Sequence, residues 1–335
     1  MSGMAPEMTE QRARRPRMPV IDIVRGVAII AMMAYHLCWD LWYFGFITAD
    51  VGFDPRWVFF ARSILFAFIF LAGVGLVLGH GEGIRWRPFW RRWLLVASGA
   101  VLITIGTYVT FPDSFVYFGV LHAIALFSLL GLPFLFTPLW ATGLAALALI
   151  LPPLFFVHSA FNQKALSWLG FWDVPPPAND LVPVFPWFGV ALLGILAARL
   201  ARKMGLFERL ATIQPHNLPA RILGFMGRWS LVIYLVHQPI LLGIIAPLAG
   251  VTGVQQQSQE VQFLSSCQAT CEATDTTAAL CANYCQCGLE GIKRDDLWEP
   301  VFTGLISAGD QAKLEANNRQ CSALIHPELD TPNPQ

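Results

Sequence analysis

Residues 20–45 read VIDIVRGVAIIAMMAYHLCWDLWYFG. The stretch is long and apolar enough to cross a hydrocarbon core of roughly 30 Å. Yet it carries Asp22, Arg25, His36 and Asp40, each costly to bury in hydrocarbon without a partner. At about 100° per residue, Arg25 and His36 fall about 20° apart around a helix, Asp40 lies about 40° further on, and Asp22 about 60° to the other side of Arg25. All four share one stripe. The pattern predicts a membrane helix whose polar face meets the bundle interior or a wet cavity, with Asp22 and Arg25 near one end and His36 about 17 Å along the axis from Arg25.

The whole chain has the same character. Its 335 residues are 55% hydrophobic and 13% charged, against roughly 25% charged in an average soluble domain. Apolar runs of about 17–25 residues suit a bilayer, and seven are present, near 20–43, 57–79, 90–110, 115–136, 138–157, 183–200 and 229–249. The fold class expected is an all-α polytopic membrane protein, a bundle of about seven transmembrane helices. The polar, Arg-rich residues 1–17 precede a run too long for a signal-peptide core and without a small-residue cleavage site, so that run is read as a retained helix.

Charge sorts the connections. The N-terminus (Arg12, Arg14, Arg15, Arg17), the second connection (Arg85, Arg87, Arg91, Arg92) and the sixth (Arg199, Arg202, Lys203, Arg209, Arg221, Arg228) hold 14 basic residues, while the other side holds Arg56 and Lys164. The positive-inside rule puts the N-terminus in the cytoplasm and, after seven crossings, the C-terminus outside. Residues 1–250 contain 18 Lys/Arg and 11 Asp/Glu, whereas residues 251–335 contain 4 and 11. The acidic tail argues against nucleic-acid binding, and a polar stretch, VTGVQQQSQ, reads as its linker. Six of the seven cysteines (Cys267, Cys271, Cys281, Cys285, Cys287, Cys321) lie in the tail. An even set outside the cell fits disulfides, and i, i+4 spacing suggests two short helices bridged as a hairpin. The CxxC spacing of zinc ribbons is missing, so no metal is expected. Three parts follow: a cytoplasmic N-terminus at 1–17, a transmembrane domain at 18–250 and an extracytoplasmic Cys-rich domain, helical in expectation, at 251–335.

Within the bundle, His36 with Asp40 four residues on reads either as a satisfied pair or as a general base held by a carboxylate. His122 in the fourth run falls at a similar depth and could share the site. His237, beside Gln238 and Pro239, reads as an interhelical hydrogen bond or a ligand contact. Arg62 is an interface anchor, a partner for Asp40 or a contact for an anionic group. The segment HGEGIRWRPFWRR offers Arg85, Arg87, Arg91 and Arg92 with Trp86 and Trp90, suited to phosphates and adenine or to anionic lipid. A long Pro- and Trp-rich outer loop precedes the sixth run.

The segments IDIVRGVAIIAMMAYHLCWDLWYFG, FFARSILFAFIFLAGVGLVLGH, FGVLHAIALFSLL and GRWSLVIYLVHQPILL resemble the bacterial proteins grouped with the heparan-α-glucosaminide N-acetyltransferase catalytic domain, over about residues 18–249. The first helix is also similar to that of the wider transmembrane acyltransferase superfamily acting on surface polysaccharides, in which an Arg precedes a catalytic His by the spacing of Arg25 and His36. The resemblance implies transfer of an acetyl group from cytoplasmic acetyl-CoA, as co-substrate, to a hydroxyl or amine of an extracytoplasmic glycan or glycolipid. On it, His36 becomes the base, Asp40 its orienter and Arg25 a donor contact. It also implies a bacterial inner membrane with the tail in the periplasm. The family's namesake is closer at the Asp-x-x-Arg-Gly start than at the His36 position, so its heparan substrate is not carried over. The reading from another class is a proton-coupled transporter or flippase using the same His/Asp/Arg stripe.

Overall fold

The computed structural model describes residues 18–214, 217–274, 276–303 and 306–324; the basic N-terminus expected at residues 1–17 lies outside them. The described residues form helices with no strand. The only extended pairing among them is a single bridge between Phe118 and Leu181. The chain divides into two compact units, one of residues up to Cys38 with Val51–Leu241 and the other of Trp39–Asp50 with Leu242 onward.

Among the described residues, α2 (Pro55–His80), α3 (Trp86–Thr110) and α7 (Val184–Lys203) of the first unit are long and apolar enough to cross a membrane, as are α1 (Pro19–Tyr43) and α10 (Ser230–Thr252), whose last residues belong to the second unit. The outer faces of these helices need lipid: on α3, Leu102 is 62% and Val109 76% exposed, and such surface is stable only against hydrocarbon. Two of the seven expected runs are shorter, α4 (Val120–Leu130) and α5 (Leu139–Ile150). Proline is the reason. Pro133, Pro138 and Pro152 lack the amide that a continuing helix requires, and single 3₁₀ turns at Pro133–Leu135 and Pro152–Leu154 take up the ends. The α4 segment nevertheless runs the depth of α7. It is tied to residues just before α7 by the Phe118–Leu181 bridge, and near the far end of α7 the Arg199 guanidinium donates to the Phe134 carbonyl at 2.9 Å.

Small residues set the helix crossings. A methyl built on Gly73 of α2 would strike the Ala191 carbonyl oxygen of α7, and one on Gly194 of α7 would strike that of Phe70. On the other side of the bundle, Gly26 of α1 and Gly227 of α9 (Leu218–Arg228) meet the carbonyls of Leu223 and Asp22 in the same way. Backbones this close gain dispersion contacts that lipid cannot replace. Arginines close the basic ends: Arg202 donates to the Val77 carbonyl at 2.7 Å, in the last turn of α2, where a cation complements the orphan carbonyls. After α7, Gly205 turns the chain at φ +62° into α8 (Leu206–Thr212).

The loop before α7 is built rather than slack. His158 N–H donates to Phe171 O at 2.8 Å, Val184 N–H to Trp168 O at 2.8 Å and Asn179 N–H to Ser114 O at 2.7 Å. It contains the one-turn α6 (Lys164–Ser167), whose Ser167 hydroxyl lies 2.6 Å from the Tyr117 hydroxyl.

In the second unit the stretch read as a linker is helical. Gly253, at φ +65°, turns the chain directly from α10 into α11 (Val254–Glu272), a conformation that favours glycine. Antiparallel α12 (Ala278–Arg294) is joined to it by Cys267–Cys285 and Cys271–Cys281, the expected bridged hairpin. After α13 (Trp298–Thr303), α14 (Ala308–Ser322) is joined to α12 by Cys287–Cys321. Buried Asn317 donates to the Gly288 carbonyl at 3.0 Å, and Lys293 pairs with Glu260 at 2.6 Å.

The glycine crossings give a stability test. Gly73→Leu should destabilise the detergent-purified protein by about 1–3 kcal/mol, because the overpacked backbone must move apart. Gly106→Ala, where a methyl meets nothing within 4 Å, should leave the thermal midpoint unchanged or raised. Equal midpoints for Gly73→Leu and the parent would refute the close crossing.

Candidate functional site

The α1 stripe brings two of its members to identifiable partners. Arg25 Nη1 lies 3.5 Å from Asp22 Oδ1, the i, i+3 pair expected from spacing. Its other amine faces α2 at Gly75: a methyl there would sit 3.1 Å from Arg25 Nη2 and 3.7 Å from both terminal nitrogens of Arg92 on α3. Two guanidiniums from different helices therefore meet over one bare Cα. The absence of a side chain on Gly75 leaves them the room.

Arg92 also lines a small, partly open cleft bounded by Gly75, His80, Trp93 and Ser128 among others. Trp93 Nε1–H donates to the Ala125 carbonyl of α4 at 3.0 Å, which fixes the indole as a wall. The other basic residues expected here separate by role. Arg85 is spent on the α2–α3 turn: its amide donates to His80 Nδ1 at 3.2 Å and its Nε to Gly79 O at 3.0 Å. Arg87 and Arg91 are exposed, beside exposed Trp86 and Trp90. Arg62 is exposed on α2.

Further along α1, the His36 ring meets His237 of α10 edge-on, with centroids 5.0 Å apart and planes at 60°. His237 is 7% exposed. Its Nδ1 sits 2.8 Å from the Tyr234 carbonyl and 3.2 Å from that of Ile233. Asp40, one turn beyond His36 on α1, is fully buried, and Gln238 follows His237 half-buried.

His122 is placed differently. Its Nδ1 accepts from the Gly119 amide at 3.2 Å, and its Nε2 lies 3.1 Å from Thr104 Oγ1. That hydroxyl already gives its proton to Val116 O at 2.7 Å, so Nε2 must be the donor and both ring nitrogens are engaged. His122 caps the start of α4.

One carboxylate escaped the sequence reading. Asp180, in the loop before α7, accepts the Val120 amide at 2.8 Å on Oδ2, at the N-terminus of α4. A side chain at Gly119 would collide with this carboxylate, so glycine admits it. Its signal in the sequence was present but weak: a lone acid between PPPAN and LVPVF, just ahead of an apolar helix. Among the described residues, no three His, Cys, Asp or Glu side chains converge as metal ligands.

Burial pushes the Asp180 carboxyl up to about 6, against the opposing pull of the Val120 amide. Ionising it in the folded protein therefore costs stability: the folded state keeps its advantage below the ordinary carboxylate pKa near 3.8 and loses it as pH rises through about 6. Asp180→Asn, which can still accept the Val120 amide, should flatten the decline between pH 4 and 6 and add about 1–2 kcal/mol at pH 7. Thermal melts across that range check this, and a decline unchanged in the variant would refute it.

Neither the curated proteins nor the solved structures include a match to this chain. Residues 17–239, however, match the family described as heparan-alpha-glucosaminide N-acetyltransferase, catalytic. The matched span takes in Arg25, Arg92, His36, His122, Asp180 and His237, and stops before the disulfide-bonded helices. It covers more than half of the 335 residues, so the chain belongs to the heparan-alpha-glucosaminide N-acetyltransferase catalytic family.

Proposed function

We propose that the protein is a membrane acetyltransferase that moves an acetyl group from cytoplasmic acetyl-CoA to a hydroxyl or amine of a glycan or glycolipid on the far side of a bacterial inner membrane. The observation that carries this is the meeting of Arg25 and Arg92 over Gly75, on the helix that bears His36 about 17 Å away. Two guanidiniums beside a single carboxylate form a site for an anion with several negative charges. The distance to His36 suits a donor whose phosphates sit at the arginines and whose thioester sits at the histidines. Exposed Trp86 and Trp90 beside the basic turn suit an adenine.

A thioester is already activated. The reaction needs a base for the acceptor proton, stabilisation of the developing oxyanion and alignment of both substrates. His36 takes the base role, with Asp40 as the carboxylate one turn on. His122 is left out of the proton transfers, since both its nitrogens are engaged at the head of α4. Gln238 and Arg62 remain candidate acceptor contacts. With the basic connections in the cytoplasm, the disulfide-bonded tail would lie in the periplasm, where disulfides persist.

The test is coenzyme A release from acetyl-CoA by the purified protein with mixed envelope glycans. Release should require an acceptor and should fall by at least about 100-fold in His36→Ala. Arg92→Gln should raise KM for acetyl-CoA by roughly tenfold, the loss of one charged hydrogen bond, with kcat nearly unchanged. An unchanged KM would remove the arginine pair from the donor site, and no release with any acceptor would favour transport over transfer.

A further inference from the structure

His237 and His122 make an informative contrast. Carbonyl oxygens only accept, so the Ile233 and Tyr234 carbonyls hold a proton on His237 Nδ1. A neutral ring then carries its lone pair on Nε2. That atom is buried and has no hydrogen-bond partner among the described residues. Leaving a buried acceptor unsatisfied costs stability. The chain does satisfy a histidine fully where the role is structural, as at His122. The ring that carries this lone pair instead packs against His36, with centroids 5.0 Å apart, a separation that two imidazole nitrogens turned toward each other bridge at hydrogen-bonding distance.

Resting on the acyl-transfer reading, we infer that His237 is the second acid–base residue of the site, the group that receives a proton from His36 and returns it to the leaving sulfur. As the acceptor oxygen or nitrogen bonds to the acyl carbon, His36 takes its proton on one ring nitrogen and passes the proton on its other nitrogen to His237 Nε2. As the carbon–sulfur bond breaks, His237 gives that proton to the thiolate. Both rings return to neutrality, and coenzyme A leaves as the thiol. Nε2 of His237 can accept because it is the one nitrogen of that ring not committed to the backbone. The carbonyl pair keeps the ring from turning over, so the lone pair stays where it is needed.

The experiment combines kinetics with a direct reading of the tautomer. In the full-length protein in detergent, His237→Gln should lower kcat by at least about 100-fold with KM for acetyl-CoA within about twofold. Added imidazole should restore part of the activity of His237→Ala, whereas His122→Ala should gain nothing from it. Nitrogen-15 spectra of histidine-labelled protein, with the His237 signal assigned by its loss in His237→Gln, should show a protonated Nδ1 and an unprotonated Nε2. The spectra require no activity and no variant with wild-type stability. A protonated Nε2, or wild-type kcat in His237→Gln, overturns the role of His237 while leaving acyl transfer standing. Absence of acetyl transfer by the parent protein itself, with any acceptor, overturns both.

Discussion

The rest of the structure depends on one constraint: in hydrocarbon, every polar group must find its partner inside the protein. That requirement explains much that would otherwise look incidental. Arg199 and Arg202 reach back to carbonyls at helix ends, and Thr104, Thr107 and Val116 bond one another where α3 meets the approach to α4. His122 closes the first turn of α4 with Nδ1 and ties it to Thr104 of α3 with Nε2. Where helices must cross without side chains between them, glycine lets the backbones approach. Against so consistent a pattern, a buried nitrogen left unbonded at His237 is conspicuous. On the role proposed for His237, a transient partner rather than a permanent one completes the bonding.

The same constraint shapes the basic end of the bundle. Guanidiniums repel, and two of them near one another on membrane helices are tolerated only with compensating charge or water. Asp22 supplies one negative charge beside Arg25; Arg92 lies on an open cleft rather than in a sealed core. On the proposed acyl-transfer reading, the surplus positive charge suits an anion that comes and goes. The nearby Arg85, by contrast, is held by its own turn, so proximity in sequence alone does not make the cluster a binding site.

Much of this was legible in the sequence, for physical reasons that differ between elements. Five long helices announce themselves by apolar length, and the stripe on α1 follows from helical periodicity. The i, i+4 cysteines gave the hairpin, although only three-dimensional proximity pairs Cys287 with Cys321. The prolines at 133, 138 and 152 were visible, yet apolar length was weighted above their power to break a helix, so two segments were read as longer than they are. The helical form of the polar stretch was not foreseen, because residues such as Gln255, Gln256 and Gln257 are good helix formers once Gly253 has turned the chain. Site partners were the hardest to foresee. His36 and His237 lie far apart in the chain, and the meeting of Arg25 with Arg92 depends on a glycine in a third helix.

The Asp180 carboxylate, in the loop before α7, is drawn to the N-terminus of α4, where the helix dipole and the Val120 amide favour its charge while burial opposes it. The two effects leave it near the point of protonation, so small changes in its surroundings decide its state. It sits among elements that also carry His122 and Thr104. The outer loop is therefore not merely a cover over the helices: it delivers an acid into the bundle, and the bonds tying it to residues 114 and 118 and to the start of α7 hold that acid in register. A loop with that task cannot be lengthened or shortened freely, which accounts for the internal order of a segment whose composition alone suggests none.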